Sequence, residues 1–431
     1  MNPFVDIPDE QEQEPTKITV RGLSGLENIG NTCYMNSVIQ CLNSLDLFRS
    51  YLLNREFYER QLYSNKMDVM AQNKRKKAGL VNDAKVAIGG EETIIKAVSH
   101  LLTVKLAKLF EKMWHRNYSI KPVSLKKVIG NTCSTFSGYR QNDSHELLNL
   151  ILDTVHEETK SKVKVIYPRV PTDVENYVQV KRECTEKITD ESLVPEERER
   201  YLSYLKQYRS THLSSAIISD AYLFWKKYIE KSYSLITDLF TGLLYSKITC
   251  EICKNVTWAF DPFTNLSLPT PDFGNIHIHD ILQKFVGEEL LDNQDKYFCT
   301  ECNKKVDAVK ETRIWEPPNI LIIHLKRFKI MGPTIVNKTL ASVKFPIENL
   351  DISSYMSPIH IVGKTVYDLR AISDHNGSTC NSGHYVAYCK NSLSGLWYKF
   401  NDERVIHIPN EYVEEEIVTK DAYLLFYERR L

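Results

Sequence analysis

Cys33, His384 and Asn401 are residues whose types and surroundings could serve acyl-transfer chemistry. Cys33 follows Gly30, Asn31 and Thr32 and precedes an apolar helical run. A cysteine at a helix N-terminus meets the positive end of the dipole and unpaired backbone N–H groups, and both favour thiolate over thiol. The thiolate is the nucleophile, and the same N–H groups can bind an oxyanion. Position alone is also compatible with the commoner state of cysteine, a small buried unreactive residue. His384 opens one strand-like stretch, and Asn401 with Asp402 ends the next. The stretch from 384 to 401 accommodates two short strands and a turn, so these residues can be neighbours across a hairpin. A Cys–His–Asn/Asp set is the cysteine-protease version of the catalytic triad, with the imidazole deprotonating the thiol.

Two further groups carry chemistry. Cys250 and Cys253 form one Cys-x-x-Cys pair, and Cys299 and Cys302 form another. Two such pairs have the ligand spacing of a closed, structural tetrahedral zinc site. Without an export signal a reducing compartment is expected, and there zinc is favoured over disulfides. The run Tyr139-Arg140-Gln141-Asn142-Asp143-Ser144-His145-Glu146 heads an apolar helical pattern. Asp143 in that place reads as an N-cap, with Glu146 completing a capping-box spacing.

The elements that must hold these residues are legible from periodicity. Helices are predicted over 33–48, 92–114 and 143–157, where apolar residues recur at three- and four-residue steps. A polar connector containing Lys74, Arg75, Lys76 and Lys77 lies between the first two, a solvated basic turn in preference to a nuclear-import signal. The block 160–220 breaks the rhythm and reads as a surface insertion, with Pro195 opening a short helix. From residue 240 the chain turns to β-branched and aromatic runs such as NILIIHLKRF and AYLLFYE. Helices first and strands later indicate an α+β fold.

Composition narrows the function classes. Lys+Arg and Asp+Glu both number 55, so the formal charge is zero, which argues against a nucleic-acid coat or a basic zinc-ribbon module. The sequence offers no run of eighteen apolar residues, so no transmembrane helix is expected and no membrane partner is assigned. The start of the chain lacks a basic segment followed by an apolar one. The expected location is therefore intracellular, cytoplasmic or nuclear. Residues 1–21 are acidic and poor in apolar side chains, and read as a disordered leader.

Taken together, these blocks resemble the ubiquitin-specific protease family of papain-like deubiquitinases. GLENIGNTCYMNSVIQCL is similar to its cysteine box, and GYRQNDSHELLNLILD to its Gln-Asp box. LFTGLLYSKITCEIC, YFCTEC and PPNILIIHLKRF are similar to its middle blocks, while GHYVAYCK, LWYKFNDERV and DAYLLFYER resemble its histidine box and closing strands. The resemblance runs in order from about Leu23 to Tyr427. It implies a right-hand fold over 22–429, with a helical thumb, a mixed palm and β fingers over about 240–312 carrying the four-cysteine zinc. It implies Cys33 as nucleophile, His384 as general base and then acid, and Asn401 as third triad member, with Asp402 able to share that role. It further implies Asn28 as the oxyanion-stabilising side chain, and Asp143 as the acidic residue gripping the tail of ubiquitin. Asp143 and Tyr385 would line a narrow channel for that tail. The activity implied is hydrolysis of the isopeptide bond after the C-terminal glycine of ubiquitin. A silent ubiquitin-binding scaffold of the same fold is the alternative. The segment Gln141-Asn142-Asp143 departs from the usual Gln-Gln-Asp, and segments 60–92 and 160–220 look longer than a minimal domain needs.

Overall fold

The computed structural model describes residues 20–78, 91–167, 169–330, 336–360, 363–379 and 382–430, and excludes the side chains of 55–58, 71–78, 91, 92, 330, 336 and 337. Almost all of the acidic leader, the side chains of the 74–77 basic run and Cys380 lie outside the described residues. The predicted helix over 33–48 is two helices, α1 (Cys33–Ser44) and α2 (Asp46–Leu53), separated by an extended Leu45. From Cys33 to Asn43 every residue of α1 is buried, including four polar ones. Asn36 and Gln40 donate to the carbonyls of Leu26 and Ser24, and Asn43 accepts from the Trp114 indole, so their burial leaves few orphan groups.

The expected polar connector contains a helix, α3 (Arg55–Ala78), in keeping with its Glu, Arg, Gln, Lys and Met content. The pattern over 92–114 divides into α4 (Glu91–Val98) and α5 (Leu102–His115). The first N–H groups of α5 donate to the Glu158 carboxylate, at 2.9 Å from Leu102 and 2.8 Å from Thr103, a cap supplied by another helix. Next come α6 (Val123–Thr132) and α7 (Ser144–Thr159). The block read as an insertion is a three-helix excursion longer than expected, comprising α8 (Thr172–Thr189), α9 (Pro195–Thr211) and α10 (Leu213–Lys231). Its two ends meet in an antiparallel bridge between Ser161 and Tyr233, after which α11 (Leu235–Phe240) returns the chain to the core.

The strands then build two main sheets. Successive elements are β1 (Gly242–Cys250), β2 (Val256–Phe263), β3 (Leu266–Pro269), β4 (Asn275–His277), α12 (Ile278–Phe285), β5 (Glu288–Leu291), β6 (Tyr297–Cys299), β7 (Lys304–Val306) and β8 (Ala308–Glu316). A four-stranded sheet of order β2-β1-β8-β5 forms the fingers, and β6 pairs with β7 at its tip. The chain continues through β9 (Ile320–Lys326), β10 (Phe328–Ile330), β11 (Val336–Lys338), β12 (Ser342–Lys344), β13 (Leu350–Asp351), β14 (Val366–Thr379), β15 (Ser382–Lys390), β16 (Trp397–Asn401), β17 (Arg404–Ile408), α13 (Val413–Ile417) and β18 (Ala422–Arg429). The palm sheet has the order β17-β16-β15-β14-β18-β9-β3, with β13 added against β14. Its pairs are antiparallel except β3 with β9.

Both faces of the palm are covered, which explains the unbroken apolar run of β9. Ile320 and Ile322 face the thumb core with Leu424 and Phe426, while Leu321, Ile323 and Leu325 face the second core with Leu425 and Tyr427. The excursion covers the finger face that carries Tyr245, Phe260 and Trp315, through Ile217 and Ala221 of α10. α1 packs against β15 and β14. The first residue of the thumb's buried helix thereby meets the first residues of a palm strand.

Candidate active site

The loop before α1 is held in an unusual backbone shape. Gly30 has φ +110° and Asn31 φ +50°. A Cβ on Gly30 would stand 2.6 Å from the Tyr139 ring, so the position needs glycine for space as well as conformation. Asn28 organises this loop. Its Oδ1 accepts from the backbone N–H groups of Thr32 at 2.9 Å and Gly30 at 3.2 Å. Its Nδ2 donates to Asp402 Oδ2 at 3.0 Å. The second Asp402 oxygen accepts from Asn36 Nδ2 at 2.8 Å. Asp402 sits at the β16–β17 turn with φ +51°, and its backbone carbonyl accepts from Leu26 N–H at 2.9 Å. The end of the palm hairpin is therefore fastened to the loop that precedes Cys33.

His384 lies between Cys33 and Asn401. Its Nε2–H donates to Asn401 Oδ1 at 2.6 Å, which leaves Nδ1 for Cys33. The hydrogen bond with Cys33 is the largest cause that pushes the imidazole up to about 9. The bond to Asn401 and the charges of Cys33 and Asp402 add to it, against partial burial. Asp402 Oδ2 stands 4.0 Å from His384 Nε2, beyond hydrogen-bonding distance. The Asp402 oxygens accept from Asn28 and Asn36, and its charge adds to the raised pKa of His384.

Gln141 is the residue that the sequence reading quoted without a role. Its Nε2 donates to the Gly383 carbonyl at 2.8 Å and lies 3.9 Å from Cys33 Sγ. It bridges the cleft from the thumb to the residue before His384. Its position in the Gln-Asn-Asp run was the only signal in the sequence. Gly383 itself has φ +146°, and a Cβ there would meet Asn376 O and His375 Nε2, each at 2.6 Å.

Asp143 does what its capping pattern predicts and something more. Oδ1 accepts from His145 N–H at 2.7 Å at the head of α7, and Oδ2 accepts from the Tyr423 hydroxyl at 2.7 Å. Glu146 heads α7 as expected, but the observed cap is the Asp143 bond alone. Tyr385, expected to line the channel, is only 1% exposed. Its ring packs on His375 at 4.6 Å, because alternation along β15 turns it inward. Burial, followed by the Asp143 charge, pushes its hydroxyl up and keeps it protonated. Behind these rings, His375 is fully buried, and burial with the nearby Lys338 pushes it down to about 4. Lys338 donates to the His375 carbonyl and pairs with Asp421 at 2.8 Å.

The four cysteines meet at the finger tip. Their sulfurs all lie within 4.8 Å of one another, with Cys250 to Cys302 at 3.9 Å and Cys253 to Cys299 at 3.6 Å. A tetrahedron of thiolates about 2.3 Å from a central zinc has edges of about 3.8 Å, so the donor set fits that ion. Backbone N–H groups of Cys253 and Cys302 point at the sulfurs of Cys250 and Cys299, at 3.4 and 3.5 Å. Among the described residues, no helix is long and apolar enough to cross a membrane.

Comparison with known proteins agrees with this geometry. The family model described as ubiquitin carboxyl-terminal hydrolase matches residues 24–427. A probable ubiquitin carboxyl-terminal hydrolase of Acanthamoeba polyphaga mimivirus is 30% identical over 434 residues, covering 95% of this chain and 90% of the viral protein. Ubiquitin carboxyl-terminal hydrolase 2 of Gallus gallus is 32% identical, with 95% of this chain and 94% of the relative covered. For the Bos taurus protein of that name the identity is 31%, and this chain spans only 55% of its length. Among solved structures, the SAGA Ubp8/Sgf11/Sus1/Sgf73 DUB module bound to ubiquitin aldehyde superposes with a TM-score of 0.63 at 24% identity, covering 97% of this chain and 71% of that one. That likeness is one of fold: helical thumb, mixed palm and fingers. With a family model over nearly its whole length and relatives of at least 30% identity, the chain belongs to the ubiquitin carboxyl-terminal hydrolase family.

Proposed function

We propose that this protein is a thiol-dependent deubiquitinase that hydrolyses the isopeptide bond after the C-terminal glycine of ubiquitin, with Cys33 as nucleophile. The observation that carries the reading is His384, hydrogen-bonded to Asn401 through Nε2 and with its pKa raised to about 9 chiefly by its interaction with Cys33. Cys33 Sγ attacks the glycine carbonyl carbon, and the carbonyl oxygen becomes an oxyanion. The second hydrogen of Asn28 Nδ2 and the N–H groups at the head of α1 stabilise that charge. The imidazolium gives its proton to the departing lysine amine, and the C–N bond breaks to leave a thioester. Water, deprotonated by His384, then attacks the thioester and releases the ubiquitin carboxylate and the thiol.

Asp143 supports binding of the ubiquitin tail. A carboxylate offers about four acceptor sites, and two are in use, so backbone N–H groups of an extended tail have sites left. Ubiquitin is the partner favoured by this reading, in keeping with ubiquitin in the neighbour's complex. A balanced net charge gives no support to nucleic acid as a partner. In the fingers, Cys250, Cys253, Cys299 and Cys302 would hold a structural zinc, closing its coordination shell without an open position for catalysis. The test of the main reading is turnover of ubiquitin carrying a C-terminal fluorogenic amide. Cleavage by the wild type that disappears in Cys33→Ala is expected. A folded wild type that neither cleaves this substrate nor reacts with a ubiquitin electrophile would overturn it.

A further inference from the structure

The imidazoles of His145 and His324 stack with centroids 3.7 Å apart and planes 18° apart, closer than most aromatic pairs. They come from different halves of the protein, His145 from α7 of the thumb and His324 from β9 of the palm. A network of uncharged groups holds them. His145 Nε2 stands 3.0 Å from Asn265 Oδ1 and 3.2 Å from Asn149 Nδ2, and Asn265 Nδ2 donates to Asn149 Oδ1 at 2.9 Å. His324 Nδ1 pairs with Ser267 Oγ at 2.9 Å, and the ring is 8% exposed.

The two bonds that hold the Asp143 carboxylate come from residues of this pair or in contact with it. One is the backbone N–H of His145 on Oδ1. The other is the hydroxyl of Tyr423 on Oδ2, and the Tyr423 ring stands edge-on to His324 at 4.9 Å and 87°. We propose that the His145–His324 stack is the positioning pair for the Asp143 carboxylate, and that acid opens the stack and weakens binding of the ubiquitin tail. The inference rests on the deubiquitinase reading above.

The physical ground is that a proton on either ring must sit against the other imidazole in a largely dry contact. Lys326 of β9 acts on His324, and the neutral Tyr423 of β18, itself beside Asp143 and Glu146 at the head of α7, stands edge-on to it, while Asn265, just before β3, and Ser267 of β3 contribute uncharged groups. Burial is the main cause that pushes His324 far down, with His145 and Lys326 adding. A histidine held neutral in the closed stack and free to protonate in an opened one stabilises the closed form above the ordinary imidazole range. That stabilisation is lost as pH falls below the range.

The experiment measures ubiquitin binding to full-length Cys33→Ala between about pH 8 and about pH 5, spanning the ordinary imidazole value. Affinity is expected to hold at neutral pH and then to weaken, approaching about tenfold per pH unit once the opened form dominates. His324→Gln can still bond Ser267 but takes no proton, and its affinity is expected to be flat over the same range. A flat profile in the parent, or the same acid loss in His324→Gln, overturns the inference. Should His324→Gln not fold, NMR titration of the histidine rings in the parent decides. His324 is expected to stay neutral until binding is lost, and an ordinary, independent titration overturns the inference. Failure of the deubiquitinase reading looks different, with neither ubiquitin binding at neutral pH nor cleavage by the wild type.

Discussion

Asn28 and Asp402 divide the work around the nucleophile in a way that residue types alone do not show. Asn401 holds the imidazole of His384, and Asp402 holds the Asn28 side chain proposed above as the oxyanion donor. Asn28→Ala is expected to lower kcat by about 100- to 1,000-fold, the usual loss for one oxyanion donor, with thiol labelling of Cys33 retained. Steady-state kinetics with the fluorogenic ubiquitin amide check it. His384 gives a pH prediction with a definite sign. Its raised pKa means the imidazolium persists up to about 9, and its stabilisation is complete below the unfolded value and lost as pH rises through about 9. The pH profile of kcat/KM is expected to fall on an alkaline limb near that value. Asn401→Ala removes a bond that holds the proton and should move the limb to lower pH. An unmoved limb would show that Asn401 does not hold the proton.

At the scale of elements, the excursion of α8, α9 and α10 is tied to the fingers at two levels. α10 supplies an apolar face against the sheet, and α9 places Arg209 over the Trp258 ring at 4.2 Å. Lys206 of α9 reaches Glu301, within the second Cys-x-x-Cys turn, at 3.6 Å. That exposed pair contributes only about 0 to 1 kcal/mol, so the packing of α10 dominates. Ile217→Ala is expected to cost about 2 to 5 kcal/mol of unfolding free energy, and Lys206→Ala much less, by denaturant titration. The finger tip itself is tiny, with Val306 and Tyr297 packed around the four sulfurs. A cluster that small does not order β6 and β7 on its own burial. Chelation of the zinc proposed for this site, or Cys299→Ser, is expected to lower the thermal midpoint and to raise hydrogen exchange in β6 and β7 before the palm. Metal analysis should return about one zinc per chain, as a single closed site requires.

For the whole molecule, the palm sheet is the common wall of two cores, and its central strands carry the load of both. Ile322 faces the thumb core and is fully buried between β18 and the helices. Ile322→Ala is expected to destabilise by about 2 to 5 kcal/mol and to lower activity at elevated temperature, with KM for ubiquitin little changed in the folded fraction. Differential melting and kinetics separate the two effects. Cleft geometry is also a whole-molecule property, since Cys33 belongs to the thumb while His384 and Asn401 belong to the palm.

The roles proposed for Cys33 and His384 came from the resemblance of whole blocks to a family, while local patterns in the chain pointed to Cys33, His384, the two Cys-x-x-Cys pairs and the order of helices and strands. Each of these is written within a few consecutive residues: a helix head, a strand start, a tight turn. The cap at Asp143 and the proline opening α9 were legible for the same reason. Helix breaks at Leu45 and at 99–101 were not, because apolar periodicity continues across them and only tertiary packing decides where the chain turns. The links that tune the site join residues remote in sequence. Asn28 meets Asp402 across 374 positions, and Gln141 meets Gly383 across 242. His145 meets His324 in the same way, across the thumb–palm boundary. No spacing rule encodes such pairs, since their distance is set by how an open sheet, packed on both faces, carries the helices over it. The chemistry was determined by residues and their neighbours in the chain; which oxygen holds which amide, and which histidine faces which, was decided only when two cores closed on one sheet.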